Sequence, residues 1–353
     1  MTKRIEYIDA MRGFTMLLVV YSHILLFGYS DLLIRDNEIL SFNRFFLTFR
    51  MPLFFFISGF ILFKKDIIWN LPTCWSFLMK KAKIQLIPTA FFFILYVFLF
   101  NFSFYESLVD AYKAGYWFTL ALFEYFCVYT LVRYICHKLK RETGIDALLL
   151  ICAFLLWGIT PTSLQYLHCY NPITCGFLGV AHMKYFIFFT LGILIKKHFD
   201  KVQQILDNGK ITAVGLLFLF LITCIVWHYK YEQILSCKCI YFFLSGGLGS
   251  MLVFAFFRKY QNSLTQNTKL GRILQYIGRR TLDIYLLHYF FLPRNLKPIG
   301  EFFINNANPT LEFVFSTLIA IIVIGACLLM SNIIRISPIL AHYLFGVKLE
   351  KSN

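Results

Sequence analysis

The sequence predicts an all-α, polytopic transmembrane helix bundle of about ten spanning helices, with the N and C termini both cytoplasmic. Three observations carry this. The residues are 59% hydrophobic, 19% aromatic and only 15% charged, whereas a soluble domain carries about a quarter charged residues. Forty-two phenylalanines in 353 residues are more than one water-surrounded core takes up, so lipid must solvate much of the surface. Finally, the apolar residues come in long runs separated by short basic clusters, the pattern of helices crossing a bilayer between cytoplasmic loops.

Taken in order, the spans are expected at 12–29, 45–63, 86–102, 116–135, 146–160, 178–195, 211–228, 239–257, 279–293 and 311–334. Several are near 15 residues, short for about 30 Å of hydrocarbon, and call for interfacial aromatic flanks. The loops are short, with no low-complexity stretch and no separate soluble domain, so residues 1–353 read as one integral membrane domain. With the N-terminus inside, 24 of the 34 Lys and Arg residues fall on the cytoplasmic side and seven outside, while Arg12, Arg50 and Lys184 lie within spans. That asymmetry sets the orientation. The first apolar run holds Arg12 and His23 and lacks a small-residue cleavage site, so no cleavable signal peptide is expected.

The net charge of +16 is spread over these clusters and points to a membrane face rather than to nucleic acid. Of the ten cysteines, Cys169, Cys175, Cys237 and Cys239 fall in loops placed outside, where a disulfide is an alternative to free thiols. The other six lie in or beside apolar segments and read as packing residues. No Cys/His spacing resembles a zinc site, so no metal is expected.

Ionisable side chains inside hydrocarbon are expensive and mark candidate functional positions. Eleven residues of helix return His23 to within about 20° of the Arg12 face, roughly 16 Å further along the axis. Arg12 then sits at the cytoplasmic edge and His23 near mid-membrane, on one stripe. Alone, Arg12 reads as a snorkelling residue; together the two read as a site. Arg50 stands five residues into the second span, in Thr48-Phe49-Arg50-Met51-Pro52-Leu53, where Pro52 frees the Thr48 carbonyl. The alternative there is a kinked helix with a structural ion pair. Tyr285 and His288 share a face at i,i+3. His288 lies about 12 Å above the basic edge formed by Arg279 and Arg280. Glu124 falls near the same level. It reads equally as a counter-charge for Arg50 or Arg12 and as a protonated packing residue. Depth alone describes a polar cavity inside a bundle.

Several of these residues sit in recognisable motifs. Ile8-Asp9-Ala10-Met11-Arg12-Gly13-Phe14 followed by Tyr21-Ser22-His23 resembles the opening of the membrane acyltransferase-3 family, whose hallmark is an arginine, ten residues and a histidine in the first span. Phe49-Arg50-Met51-Pro52-Leu53-Phe54-Phe55-Phe56-Ile57-Ser58-Gly59-Phe60 resembles its second-span motif. Lys80-Lys81-Ala82-Lys83 before Ile87-Pro88 resembles its basic loop, and Tyr116-Trp117-Phe118 the start of its fourth span. Gly278, Thr281-Leu282, Ile284-Tyr285 and His288 resemble its late motif. Thr281 stands where the family often has Ser, and no appended soluble transferase domain is present, which implies a membrane-only form.

The resemblance implies an O-acyltransferase in the inner (plasma) membrane. It would move an acyl group, usually acetyl, from acyl-CoA to a hydroxyl of a cell-envelope carbohydrate or lipid-linked glycan. No cofactor is held permanently; acetyl-CoA is the donor. Such chemistry needs a base for the hydroxyl proton, for which His23 suits. It needs a donor for the tetrahedral oxyanion, from Arg50, Tyr285 or His288. It also needs cations for the CoA phosphates, from Arg12, Lys80, Lys81 and Lys83. An acyl-His23 relay is the alternative to direct transfer. A transporter or flippase for a polar envelope precursor would use the same intramembrane charges, although the sequence shows no inverted repeat. A polysaccharide-assembly scaffold is a third reading.

Overall fold

The computed structural model describes residues 5–30, 41–65, 67–160, 171–207, 214–215, 217–219, 221–222 and 235–347. Among these residues the regular structure is helical throughout. Six helices are long and apolar enough to cross a membrane: Glu6–Gly28, Asn43–Leu62, Leu71–Leu99, Trp117–Lys138, Tyr241–Lys259 and Pro309–Ile334. They overlap expected spans one to four, eight and ten, although the third helix starts at Leu71, well before residue 86, and so carries Lys80, Lys81 and Lys83 on helix where the sequence predicts a basic loop. The fifth is a shorter apolar helix, Ile145–Gly158. The sixth is α-helical only over Phe186–Lys197, because Val180–Tyr185 winds as a 3₁₀ turn. The ninth is the eleven-residue helix Thr281–Phe291. The seventh, 211–228, lies largely outside the described residues, as do Cys169 and Cys224. Ten crossings are thus an expectation of the sequence, and among the described residues helix length supports six. Cys175 is a buried free thiol.

The chain divides into two compact units: Met1–Ile57 with His198–Leu329, and Ser58–Lys197 with Met330–Asn353. Helices α2 (Asn43–Leu62) and α11 (Pro309–Ile334) each pass from one unit into the other.

In the first unit, which also holds the short helix α7 (Phe199–Leu206), α1 (Glu6–His23) packs most extensively on α9 (Lys269–Arg279), and also on α8 (Leu235–Lys259) and α10 (Thr281–Phe291). The close approach has a steric cause. A Cβ on Gly13 would strike the Leu274 carbonyl, and one on Gly278 would strike the Asp9 carbonyl, so two glycines let the α1 and α9 backbones touch. Helix α9 starts with the Thr268 side chain accepting from Gly271 N at 3.1 Å, an N-cap. It buries Gly271, Gln275 and Gly278 along one stripe. The chain breaks at Arg280 and restarts as α10. Phe254 of α8 packs edge-on against Tyr7 and Phe56.

In the second unit, α3 (Leu71–Leu99) lies against α4 (Trp117–Lys138), and α5 (Ile145–Gly158) against α6 (Phe186–Lys197). Asn70 caps α3 by accepting from Thr73 N at 3.0 Å. Thr89 and Thr119 join α3 to α4 through a 2.8 Å hydroxyl pair, the kind of interhelical polar contact used inside membranes. Lys197 pairs with Asp146 at 2.6 Å. Large apolar side chains face outward, among them Trp75, Phe98 and Leu155 here, and Leu318, Ile321 and Ile322 on the α11 stretch of the first unit. Water would make that surface costly, and lipid does not.

Candidate functional site

His23 is the last residue of α1 before the chain widens into a π-helical turn over Ile24–Gly28. That turn closes with Tyr29 N donating to Ile24 O at 3.1 Å. Such widened turns recur at functional positions because they re-aim a side chain. Here His23 points at His288 of α10. Its Nδ1 lies 2.8 Å from His288 Nε2, and the two rings are within 9° of parallel. Tyr289 flanks both imidazoles, with its ring centroid 5.3 Å from that of His23 and 4.0 Å from that of His288.

The tautomers follow from the hydrogen bonds. His288 Nδ1 faces two helix carbonyls, Tyr285 O at 2.8 Å and Ile284 O at 3.0 Å. Carbonyls only accept, so this nitrogen carries a proton and the neutral ring presents the Nε2 lone pair. His23 Nδ1 then donates to it. The His23 Nε2 lone pair is left unspent in that pair, on a ring that is partly exposed while His288 is fully buried. A fixed imidazole backed by a hydrogen-bonded partner is the arrangement of a general base. Arg50, on α2, lies within electrostatic range of His23. Tyr285 is buried and contributes the carbonyl that anchors His288.

Arg12 is one turn and a half into α1. Its Nη2 donates to Thr281 Oγ1 at 2.7 Å, its Nη1 lies 3.9 Å from Asp9 Oδ1, and its side chain stays 32% exposed. Thr281 in turn donates to Gly278 O at 3.2 Å. The glycine crossing and this bond fix the start of α10, and so the height at which His288 meets His23. Arg12, His23, Arg50, Tyr285 and His288 therefore belong to one unit.

The other predicted residues belong to the second unit. Lys80 and Lys83 are exposed on α3. Lys81 lies over the Phe126 ring at 4.4 Å and the Phe77 ring at 5.6 Å. Glu124 sits two turns into α4, beside a small cavity also lined by Lys113, Trp117 and His182.

Sequence reasoning missed several groups. Tyr289 is adjacent to the motif histidine. Glu312, fully buried, accepts from Tyr21 Oη at 2.9 Å; Tyr21 also bonds Ser41 at 2.9 Å, and Tyr29 bonds Ser316 at 2.9 Å. This network fastens both ends of the π-helical turn to α11. A lone carboxylate at the start of an apolar span was the available signal. Lys113 read as an ordinary loop cation. It is buried, and burial lowers its pKa from the usual lysine value, opposed by the Asp110 and Glu124 carboxylates.

A model of the family described as "Acyltransferase domain" matches residues 5–330, a range that includes every residue above. No curated protein and no solved structure matches the chain.

Proposed function

The chain belongs to the acyltransferase-3 family, a multi-pass membrane acyltransferase, and from that premise we propose that it transfers an acyl group, in the first instance acetyl, from acyl-CoA to a hydroxyl of a cell-envelope carbohydrate, in the inner (plasma) membrane. The observation that carries the reading is the 2.8 Å His23–His288 contact with His288 anchored on helix carbonyls. It supports His23 Nε2 as the general base.

In this scheme the acceptor hydroxyl attacks the thioester carbonyl as His23 Nε2 takes its proton. A C–O bond forms, and the carbonyl oxygen becomes an oxyanion that Arg50 would stabilise. Collapse breaks the C–S bond, and the departing CoA sulfur recovers the proton from His23. The products are the ester and the CoA thiol. His288 spends both ring nitrogens on fixed partners, which favours an orienting role over the oxyanion role. The Tyr285 side chain remains a second oxyanion candidate. Arg12, Lys80, Lys81 and Lys83 are the cations assigned to the CoA phosphates. Lys80 and Lys83, exposed and three residues apart on α3, suit this better than Lys81, which lies on aromatic rings.

Transfer of radiolabelled acetyl from acetyl-CoA to glycan by the purified protein in proteoliposomes tests the reading. Label appearing in ester linkage is expected. Solute movement across the vesicle wall with no acetyl transfer would instead establish the transporter reading.

A further inference from the structure

The second unit holds a built polar cavity of about 80 Å³ at the Trp117 end of α4, opposite that helix's basic His137–Lys138 end. Its walls mix apolar Leu120 and Phe177 with the polar side chains of Lys113, Glu124 and His182. Lys113 is 5% exposed, and its ammonium donates to Gly176 O at 2.6 Å and to Asp110 O at 2.9 Å, two of its three N–H bonds. Glu124 presents a buried Oε2 with no hydrogen-bond partner. Gly179, at φ 65°, lies beside the Glu124 carboxylate, and a Cβ there would stand 3.4 Å from Oε1, in ordinary contact. His182 is 3% exposed, donates from Nε2 to Ala111 O at 2.8 Å, and stacks on Trp117 with ring centroids 3.8 Å apart.

The backbone around the cavity is strained. Lys113, Ala114 and Gly115 take positive φ in succession, at 50°, 48° and 103°. Left-handed alanine and lysine persist only where surroundings over-determine them, and such strain gathers at binding and catalytic sites. Here the Lys113 and His182 bonds to backbone carbonyls hold the turn.

A cation with one N–H to give and a carboxylate oxygen with lone pairs to fill share this cavity without forming a direct ion pair. An ammonium ligand meets attraction from Glu124 and repulsion from Lys113, and a phosphate or carboxylate meets the reverse, so the pair favours neither charge. The group that accepts from the first and donates to the second is a neutral hydroxyl. We propose that this cavity is a recognition site for a hydroxyl of the carbohydrate acceptor, with Glu124 and Lys113 as its hydrogen-bonding pair and Trp117 and His182 as its aromatic wall. It gives Glu124, read from sequence as a counter-charge or a packing residue, a part in choosing the acceptor. The inference rests on the acyltransferase reading for the identity of its ligand.

The test uses the full chain in nanodiscs and the methyl glycosides of glucose, galactose and mannose as probes. Saturation-transfer NMR is expected to show saturable binding of at least one glycoside to the wild type. Glu124→Leu and Lys113→Met should each weaken it at least tenfold, the effect of losing a hydrogen bond to a charged group. Glu124→Gln keeps the side chain's shape, so it reports on the charge should the leucine variant not fold, and it should weaken binding in the same direction. No saturable signal with any glycoside in the wild type would overturn the proposal, since the cavity would then hold water alone. So would binding that survives all three substitutions. Thermal stabilisation of the wild type by acetyl-CoA, measured separately, tests the parent reading: its absence alongside intact glycoside binding would sink the transferase and leave the hydroxyl site standing.

Discussion

His23 Nδ1 and His288 Nε2 meet at 2.8 Å across 265 residues of chain. His288 carries its proton on Nδ1, toward the carbonyls one turn back in its own helix. One imidazole thereby fixes the ring and tautomer of the other. The contact depends on how α1 and α10 are held, and the predictions begin there.

Thr281 accepts from Arg12 and donates to Gly278. Thr281→Ser keeps both bonds and should be nearly silent. Thr281→Val removes both and takes one hydrogen bond from the part-exposed Arg12 guanidinium, a loss of about 0.5–1.5 kcal/mol. Thermal melting of the two variants in detergent separates them. Equal melting would mean the hydroxyl contributes nothing.

Gly278→Ala should be more damaging than its size suggests. The new methyl group points into the Asp9 carbonyl, and backbone cannot yield as a flexible side chain can. Overpacking of this kind costs roughly 1–3 kcal/mol. Because it pushes α9 from α1, transfer activity should fall more steeply than folded yield. Gly325→Ala meets nothing within 4 Å and serves as the control. The prediction fails if the two variants behave alike.

Most helix positions, and the seating of His23 and His288 on two of those helices, were legible because both follow from local rules. Apolar runs locate the crossings, and eleven residues bring Arg12 and His23 to one face. The pairing of His23 with His288 was legible only as a shared depth, since periodicity places a residue along its own helix and says nothing of which neighbour it meets. The same limit applies to Glu124. Its level in the membrane could be counted, whereas its neighbour Lys113 looked like a loop cation because nothing in Tyr112-Lys113-Ala114-Gly115 announces a buried ammonium. The 3₁₀ turn over Val180–Tyr185 was equally hidden, because Lys184 was counted inside one continuous span from 178 to 195. Glu312 was visible as a lone carboxylate, but Tyr21, which donates to it, and Ser41, which Tyr21 bonds in turn, lie on distant parts of the chain.

Lys80 and Lys83 are exposed at i,i+3 on α3, one face of a helix. Changing both to Gln should raise KM for acetyl-CoA several-fold with kcat little changed, and steeply rising salt should erase the difference. Lys81→Gln should act differently, through lost packing on Phe126, and lower stability instead. Steady-state kinetics at two ionic strengths checks both. An unchanged KM in the double variant would remove α3 from the donor site.

Asp207 receives Arg258 Nε at 2.8 Å and Nη2 at 3.1 Å, and that hydrogen bonding holds its carboxyl below the usual aspartate value. A carboxyl with a depressed folded pKa contributes stability above its unfolded value, about 3.9. That contribution is lost as pH falls through the folded value. The wild type should therefore lose melting temperature on acidification below about pH 4, and Asp207→Asn should remove part of that acid-side loss. The difference should be small because Asp207 is half exposed. Melting curves that differ by a constant offset at every pH would contradict the assignment.

The most direct test of the central claim is the rate of acetyl transfer from acetyl-CoA in proteoliposomes for His23→Ala and for His288→Gln, each against the wild type and at matched folded protein. His23→Ala removes the base and should reduce kcat by roughly 10²–10⁴-fold. His288→Gln keeps a polar group but loses the fixed acceptor for His23 Nδ1, so it should lose less and should move the pH–rate profile. Near-normal transfer by folded His23→Ala would contradict the account.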